Sequence, residues 1–277
     1  MKKNNIKPFL VLLPILCFLC FVSLAWNINA YSITSNATTN NIVIIYDTDD
    51  TIASQYQSFL TADSYDVDLI PINDIPTTSF SNYDLIIIDP LSGAFNSWGN
   101  TTTVNAIKSA NKPIIGLSTG GYGFFGELGF FIGYPYGATG SGDSLYVPDT
   151  PLSIFQKPNS ISNGTLQIYT SSTSKRSIYT DSAPENITVL ATDSEGSLYS
   201  PLIQEADDYI LWGFYNGPDD MTFNGLNLFE NVIVYLLPEE QDGIPGYDLY
   251  LFLGISALAI ITIIGIKYRK KNFLKYI

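Results

Sequence analysis

The sequence predicts an α/β domain built on a parallel sheet with helices on both faces, followed by a β-rich extension. Three observations carry this. Short, continuously apolar runs alternate with helix-patterned segments through the first half, as strands buried on both faces require. A glycine-rich turn, Gly116 to Gly121 (GLSTGG), joins one such run to a helix-compatible segment. From Ser144 to about Thr192, short β-patterned runs are separated by Ser, Asn, Gly and Pro rather than by helices.

Taken in order, Ile42 to Tyr46 is the first buried strand, and Ile52 to Leu60 places Ile52, Tyr56, Phe59 and Leu60 on one helical face. Tyr65 to Ile72 and Leu85 to Ile88 read as the second and third strands. Thr103 to Ala110 reads as a helix closed by Asn111-Lys-Pro, and Pro113 to Leu117 as the fourth strand. Tyr122 to Phe131 then suits a helix. This β-α-β order implies parallel pairing with right-handed crossovers. In the second half, Leu145 to Val147, Leu166 to Tyr169, Ile187 to Leu190 and Tyr209 to Tyr215 read as strands, and Phe223 to Leu237 as a closing helix.

The ends of the 277-residue chain set its expected location. Residues 1–30 read as a signal peptide or N-terminal anchor: Lys2, Lys3 and Lys7 precede an apolar stretch that begins at Phe9. Both cysteines, Cys17 and Cys20, fall inside it, so the chain beyond it has no thiol for disulfides or metal. Residues 31–40 form a polar spacer, 41–237 the ectodomain and 238–248 an acidic stalk. Leu249 to Ile266 is apolar for 18 residues, enough to span a membrane as a helix. The basic tail 267–277 that follows marks the cytoplasmic side.

Charge agrees with that topology. All 26 acidic residues lie between Asp47 and Asp248, against five basic residues in the same stretch, a net charge of −21. Such a surface repels nucleic acid and leaves a surface glycan, peptide or protein as the expected partner, besides the membrane reached by the C-terminal helix. Sequons at Asn36, Asn100, Asn163 and Asn186 all fall in the part placed outside.

The turn after Pro113 to Leu117 carries the central chemical question. A G-x-S-x-G set between strand and helix presents a serine nucleophile, here Ser118, and such a serine needs a base. The chain contains no histidine. Pro113 to Gly121 (PIIGLSTGG) resembles the strand and nucleophile elbow of the class I glutamine amidotransferase-like superfamily, a flavodoxin-like α/β fold. The resemblance implies that Ser118 occupies the position of the amidotransferase cysteine. It also implies that Leu211 to Asp220 (LWGFYNGPDD) holds the place of the catalytic histidine segment, with Tyr215 or Asn216 where histidine belongs. The family's base is therefore missing, and a cysteine thioester route is closed. The expectation is a non-catalytic amidotransferase-like ectodomain whose ligand pocket is lined by Ser118, Thr119, Gly120 and Gly121, with Tyr215 and Asn216 opposite. On the other side, Gly116, Gly120 and Gly121 also suit a tight turn and close helix packing without any ligand. The segment Ile244 to Asp248 resembles the boundary of archaeal surface-sorting tails.

Two enzyme readings stand beside this one. Ser118 serves a serine hydrolase if another base reaches it. Asp47 to Thr51 (DTDDT) resembles the opening motif of haloacid-dehalogenase-type phosphatases, which implies Asp47 as nucleophile, Asp49 as acid/base, and Asp219 and Asp220 as the late acidic pair. No resident cofactor is expected, although Asp47, Asp49 and Asp50 cluster carboxylates of the kind that suit Ca²⁺ or Mg²⁺. The plainer use of this loop is helix capping by Asp50 or Thr51. The aromatic segment Tyr122 to Tyr136 suits core packing for its phenylalanines and leaves its tyrosines unassigned.

Overall fold

The computed structural model describes residues 39–150 and 152–237. The expected leader, most of the expected spacer, the expected stalk, the expected membrane span 249–266, the expected basic tail and the sequon Asn36 lie outside the described residues. Among the described residues no helix is long and apolar enough to cross a membrane.

Five strands pair in parallel: β1 (Asn41–Tyr46), β2 (Asp66–Pro71), β3 (Leu85–Ile88), β4 (Ile114–Leu117) and β12 (Tyr209–Trp212). Their order, β2-β1-β3-β4-β12, is the 2-1-3-4-5 order of flavodoxin-like sheets. Two antiparallel strands, β11 (Leu202–Glu205) and β9 (Ile187–Ala191), extend the sheet beyond β12 to seven. The fold is thus mixed α/β with a mostly parallel central sheet.

Side-chain alternation builds a core on each face. Ile42, Ile44, Leu85, Ile87, Ile115 and Leu117 face one core, together with Ile52, Tyr56 and Leu60 of helix α1 (Thr51–Ala62) and Leu228, Phe229 and Val232 of helix α4 (Phe223–Leu236). Val43, Ile45, Ile86, Ile88 and Ile114 face the other, with Val104 and Ile107 of helix α2 (Thr101–Ala110) and Phe124 and Phe125 of helix α3 (Ser118–Glu127). Each of these isoleucines, fully buried, contributes about 1.5–3 kcal/mol of transfer free energy. The link from β2 to β3 passes through two short 3₁₀ turns whose Ile72, Ile75 and Phe80 pack on the second face. Because α1 covers one face and this link the other, the strand order reverses between β1 and β3, and in open α/β sheets ligands bind outside the strand C-termini at such a point.

The rest forms the β-rich extension. β5 (Gly137–Gly142), β8 (Thr173–Tyr179) and β10 (Tyr199–Ser200) make a three-stranded antiparallel sheet, and β6 (Ser144–Val147) pairs with β7 (Gly164–Gln167). Several expected elements differ in extent: α2 starts at Thr101 rather than Thr103, and β7 ends at Gln167 rather than Tyr169. The helix expected from Tyr122 starts at Ser118 and stops at Glu127, ahead of Gly129 at φ +76°. The strand expected to reach Tyr215 ends at Trp212, because Phe214 leaves the main sheet to bridge Lys175 of β8.

Candidate functional site

The elbow is built from strand-to-helix geometry. β4 lies between β3 and β12, and Ser118 opens α3 at φ +41°, a left-handed conformation that costs a non-glycine residue about 1–3 kcal/mol. Close packing holds it there. A methyl group on Gly121 would overlap the backbone of Gly116, and one on Gly120 would overlap the carbonyl of Asp89. Gly120 N–H donates to the Pro90 carbonyl at 3.0 Å, tying the first turn of α3 to the loop after β3. The glycines therefore do the packing work expected of them. Ser118 is 1% exposed, and its Oγ has no hydrogen-bond partner among the described residues.

Asp89 is one of two residues that sequence reasoning missed. It follows β3 directly, one position past Ile88, which lies opposite Gly116 of β4. The side chain is fully buried; one carboxylate oxygen accepts the Leu91 N–H at 2.8 Å and Oδ2 has no partner among the described residues. Burial pushes its pKa from the ordinary aspartate range up to about 7, the Leu91 N–H opposes the rise, and the charge of Asp49 adds to it. The signal was present in the sequence as a carboxylate closing the otherwise apolar run LIII at a strand's C-terminal end. A third unpartnered buried atom, Gln55 Oε1 of α1, lies against Gly217.

Tyr215 and Asn216 follow β12, whose Trp212 pairs in register with Leu117, so both emerge on the same sheet edge as Ser118. Tyr215 is half-buried, and burial, with the charges of Asp89 and Asp49, raises its pKa. Asn216 has every polar group engaged. Its Oδ1 accepts from the Thr173 hydroxyl at 2.6 Å, its Nδ2 donates to Asp220 Oδ2 at 2.7 Å, and its carbonyl accepts from the Tyr169 hydroxyl at 2.8 Å. An amide cannot take a proton from a hydroxyl near neutral pH, and this one holds the turn in place.

Thr119 meets the extension. Its hydroxyl accepts from Arg176 Nε at 3.4 Å, while the guanidinium lies 5.5 Å from the ring centres of both Phe95 and Tyr122 and also donates to Thr139. Desolvation lowers the Arg176 pKa, which the neighbouring Tyr122 partly offsets. Arg176 escaped sequence reasoning because nothing near it in the chain marks it as a neighbour of the elbow.

The acidic loop after β1 does not cap α1 as expected: Asp50, at the cap position, makes no side-chain cap hydrogen bond. Asp49 Oδ1, rather than Asp50, accepts the Thr51 N–H at 3.0 Å, and the side-chain and backbone hydrogen bonds of Thr51 lower the Asp49 pKa. Asp47 is half-buried and Asp50 exposed. Among the described residues no three His, Cys, Asp or Glu side chains sit together to hold a metal ion, so Asp47, Asp49, Asp50, Asp219 and Asp220 do not assemble into one such group. Of the sequon asparagines, Asn100 caps α2, Asn163 Nδ2 donates to Asp149 Oδ1 at 3.0 Å, and Asn186 Nδ2 lies 3.4 Å from Glu205 Oε1.

No protein-family model and no curated protein matches the sequence. Among solved structures, the chain is similar to a putative GMP synthase component from Thermoplasma acidophilum, with 13% identity over 71% of this chain and 94% of that one and a TM-score of 0.45. It is also similar to PurLQS from Thermotoga maritima, at 12% identity over 72% and 99% with a TM-score of 0.45. A third is the Trypanosoma brucei CTPS glutaminase domain with bound acivicin, at 13% identity over 71% and 94% with a TM-score of 0.43.

Proposed function

We propose that residues 41–237 form an amidotransferase-like ectodomain that binds a ligand or partner without catalysing a reaction, held at the cell surface by the C-terminal membrane anchor. The observation that carries this reading is the state of Asn216. With Tyr215 it is one of the two residues at the place where the resemblance calls for a histidine base, and its amide is committed to Thr173 and Asp220. A buried Ser118 hydroxyl without a base is a poor nucleophile. A ligand at this edge meets the half-buried Thr119, Tyr215 and Asn216 first, with the buried Ser118, Gly120 and Gly121 behind them.

One observation favours a serine hydrolase as the second reading: Asp89 is a buried carboxylate with a pKa raised to about 7 at the end of the neighbouring strand. A serine-reactive phosphonate applied to the purified full-length chain separates the two. Binding without catalysis predicts no labelling, and no phosphate release from p-nitrophenyl phosphate with or without Mg²⁺. Labelling that disappears in both Ser118→Ala and Asp89→Asn establishes the hydrolase instead. Mg²⁺-dependent phosphate release lost in Asp47→Asn establishes the phosphatase.

A further inference from the structure

Away from the elbow, the extension carries a hollow of about 310 Å³ walled by aromatic rings. On one side Phe131 and Tyr136 are stacked, with centroids 4.7 Å apart and planes at 27°. On the other, Tyr179 and Tyr199 pack at 5.2 Å. Backbone pairing fixes both walls: Tyr199 sits opposite Tyr179 in the β10–β8 register, and Tyr179 N–H donates to the Tyr136 carbonyl at 3.1 Å.

Tyr136, Tyr179 and Tyr199 are 48%, 40% and 39% exposed, an unusual concentration of solvent-facing rings in one concave place. None of their three hydroxyls bonds a described residue. Other tyrosines behave differently: the Tyr122 hydroxyl accepts the Gly137 N–H at 3.0 Å, and the Tyr235 hydroxyl donates to Gln204 at 3.1 Å. Ser182 adds a fourth hydroxyl to the lining, and no charged side chain is part of it.

We infer that this hollow binds a neutral pyranose ring of a glycan. The C–H face of a sugar packs on an aromatic face, and its hydroxyls need partners that both donate and accept, as phenols and serine do. The absence of any charged group in the lining removes the attraction a phosphate or carboxylate ligand would need. A proline-rich peptide also stacks on tyrosines, but three polyproline II residues span about 9 Å and require a groove. A hollow of 310 Å³ walled on two sides suits a single ring better. A second copy of the chain would need about 800 Å² of surface per partner, well beyond four side chains.

This inference shares with the proposed function the premise of a binding surface but uses a different site, so each can fail alone. Purified full-length chain, kept in a detergent without a sugar headgroup, is titrated with the methyl glycosides of glucose, mannose and galactose and with a nine-residue proline peptide. Saturation-transfer NMR reads binding, and thermal melting confirms that each variant is folded. At least one glycoside is expected to bind saturably. Tyr136→Ala and Tyr199→Ala should each weaken it about tenfold, and Tyr136→Phe, which keeps the ring, should weaken it less. The inference is overturned if folded protein binds none of the three glycosides, if both alanine variants bind as tightly as the parent, or if the proline peptide alone binds. Phosphonate labelling on the same preparation reports the elbow's chemistry separately.

Discussion

Gly121 and Gly116 touch backbone to backbone, so a single methyl group tests how tightly the elbow is built. Gly121→Ala has no flexible neighbour to displace, and the cost falls on the β4–α3 junction itself: about 2–4 kcal/mol, read as a lowered urea midpoint. A variant as stable as the parent would mean that the two segments part easily. Asp89 gives a second prediction at this scale. Its folded-state pKa of about 7 lies above the unfolded aspartate range, so the folded protein holds this proton more tightly. Its contribution to stability is complete below about pH 4 and is lost as pH rises through about 7, at up to ~1.4 kcal/mol per pH unit. Asp89→Asn removes that dependence. Between pH 5 and pH 8 the urea midpoint of the parent should therefore fall relative to that of the variant; parallel profiles would show that Asp89 titrates normally.

The helices and strands differ in how openly the chain announces them. Helix α2 is fully written in its own residues. Asn100 Oδ1 accepts the Thr102 and Thr103 N–H groups at 2.9 and 3.1 Å, the Asn100 N–H donates to the Thr103 hydroxyl, and Asn111 closes the helix at φ +50°. Asn100 also opens a sequon, and cap and sequon can be separated by substitution. Asn100→Asp keeps the acceptor oxygen and removes the sequon, so stability should hold, whereas Asn100→Ala should cost about 1 kcal/mol. Equal losses for the two in thermal melts would place the effect on something other than the cap. β1, β3 and β4 were equally legible, because parallel strands buried on both faces leave unbroken apolar runs. β5, β8 and β11 were not. β5 (GATGSG) has no apolar face and exists through its six paired residues on β8. β8 turns Thr173, Lys175 and Ser177 inward, where Lys175 Nζ and the Ser177 hydroxyl both meet Asp193 at 2.9 Å. β11 buries Gln204 and Glu205, with the Glu205 carboxylate accepting the Ile132 N–H at 3.2 Å. Polar residues satisfied only by distant partners erase the hydrophobic alternation on which strand reading depends.

At the scale of the molecule, the same distinction divides the candidate site. The elbow was legible because a strand, a turn and a helix are contiguous in sequence. Its neighbours Asp89 and Arg176 were not, since only the β3–β4 register and the folding back of β8 bring them near. Charge is the other property held by the whole. Residues 39–237 contain 22 acidic and five basic residues, a net charge of −17, and the ion pair within 4.0 Å found among the described residues is Lys175–Asp193. The compact state therefore carries unrelieved self-repulsion that the unfolded chain spreads over a larger volume. Raising NaCl shortens the screening distance from about 30 Å at 0.01 M to about 8 Å at 0.15 M, less than the width of the domain. The melting temperature should accordingly rise most between those two concentrations and level off beyond them, with Na⁺ and K⁺ equivalent. A flat profile would mean that the acidic residues are spaced widely enough for water alone to screen them. A rise produced by millimolar Ca²⁺ at constant ionic strength would locate the relief at a specific site, and the loop from Asp47 to Asp50 would be the first place to look for it.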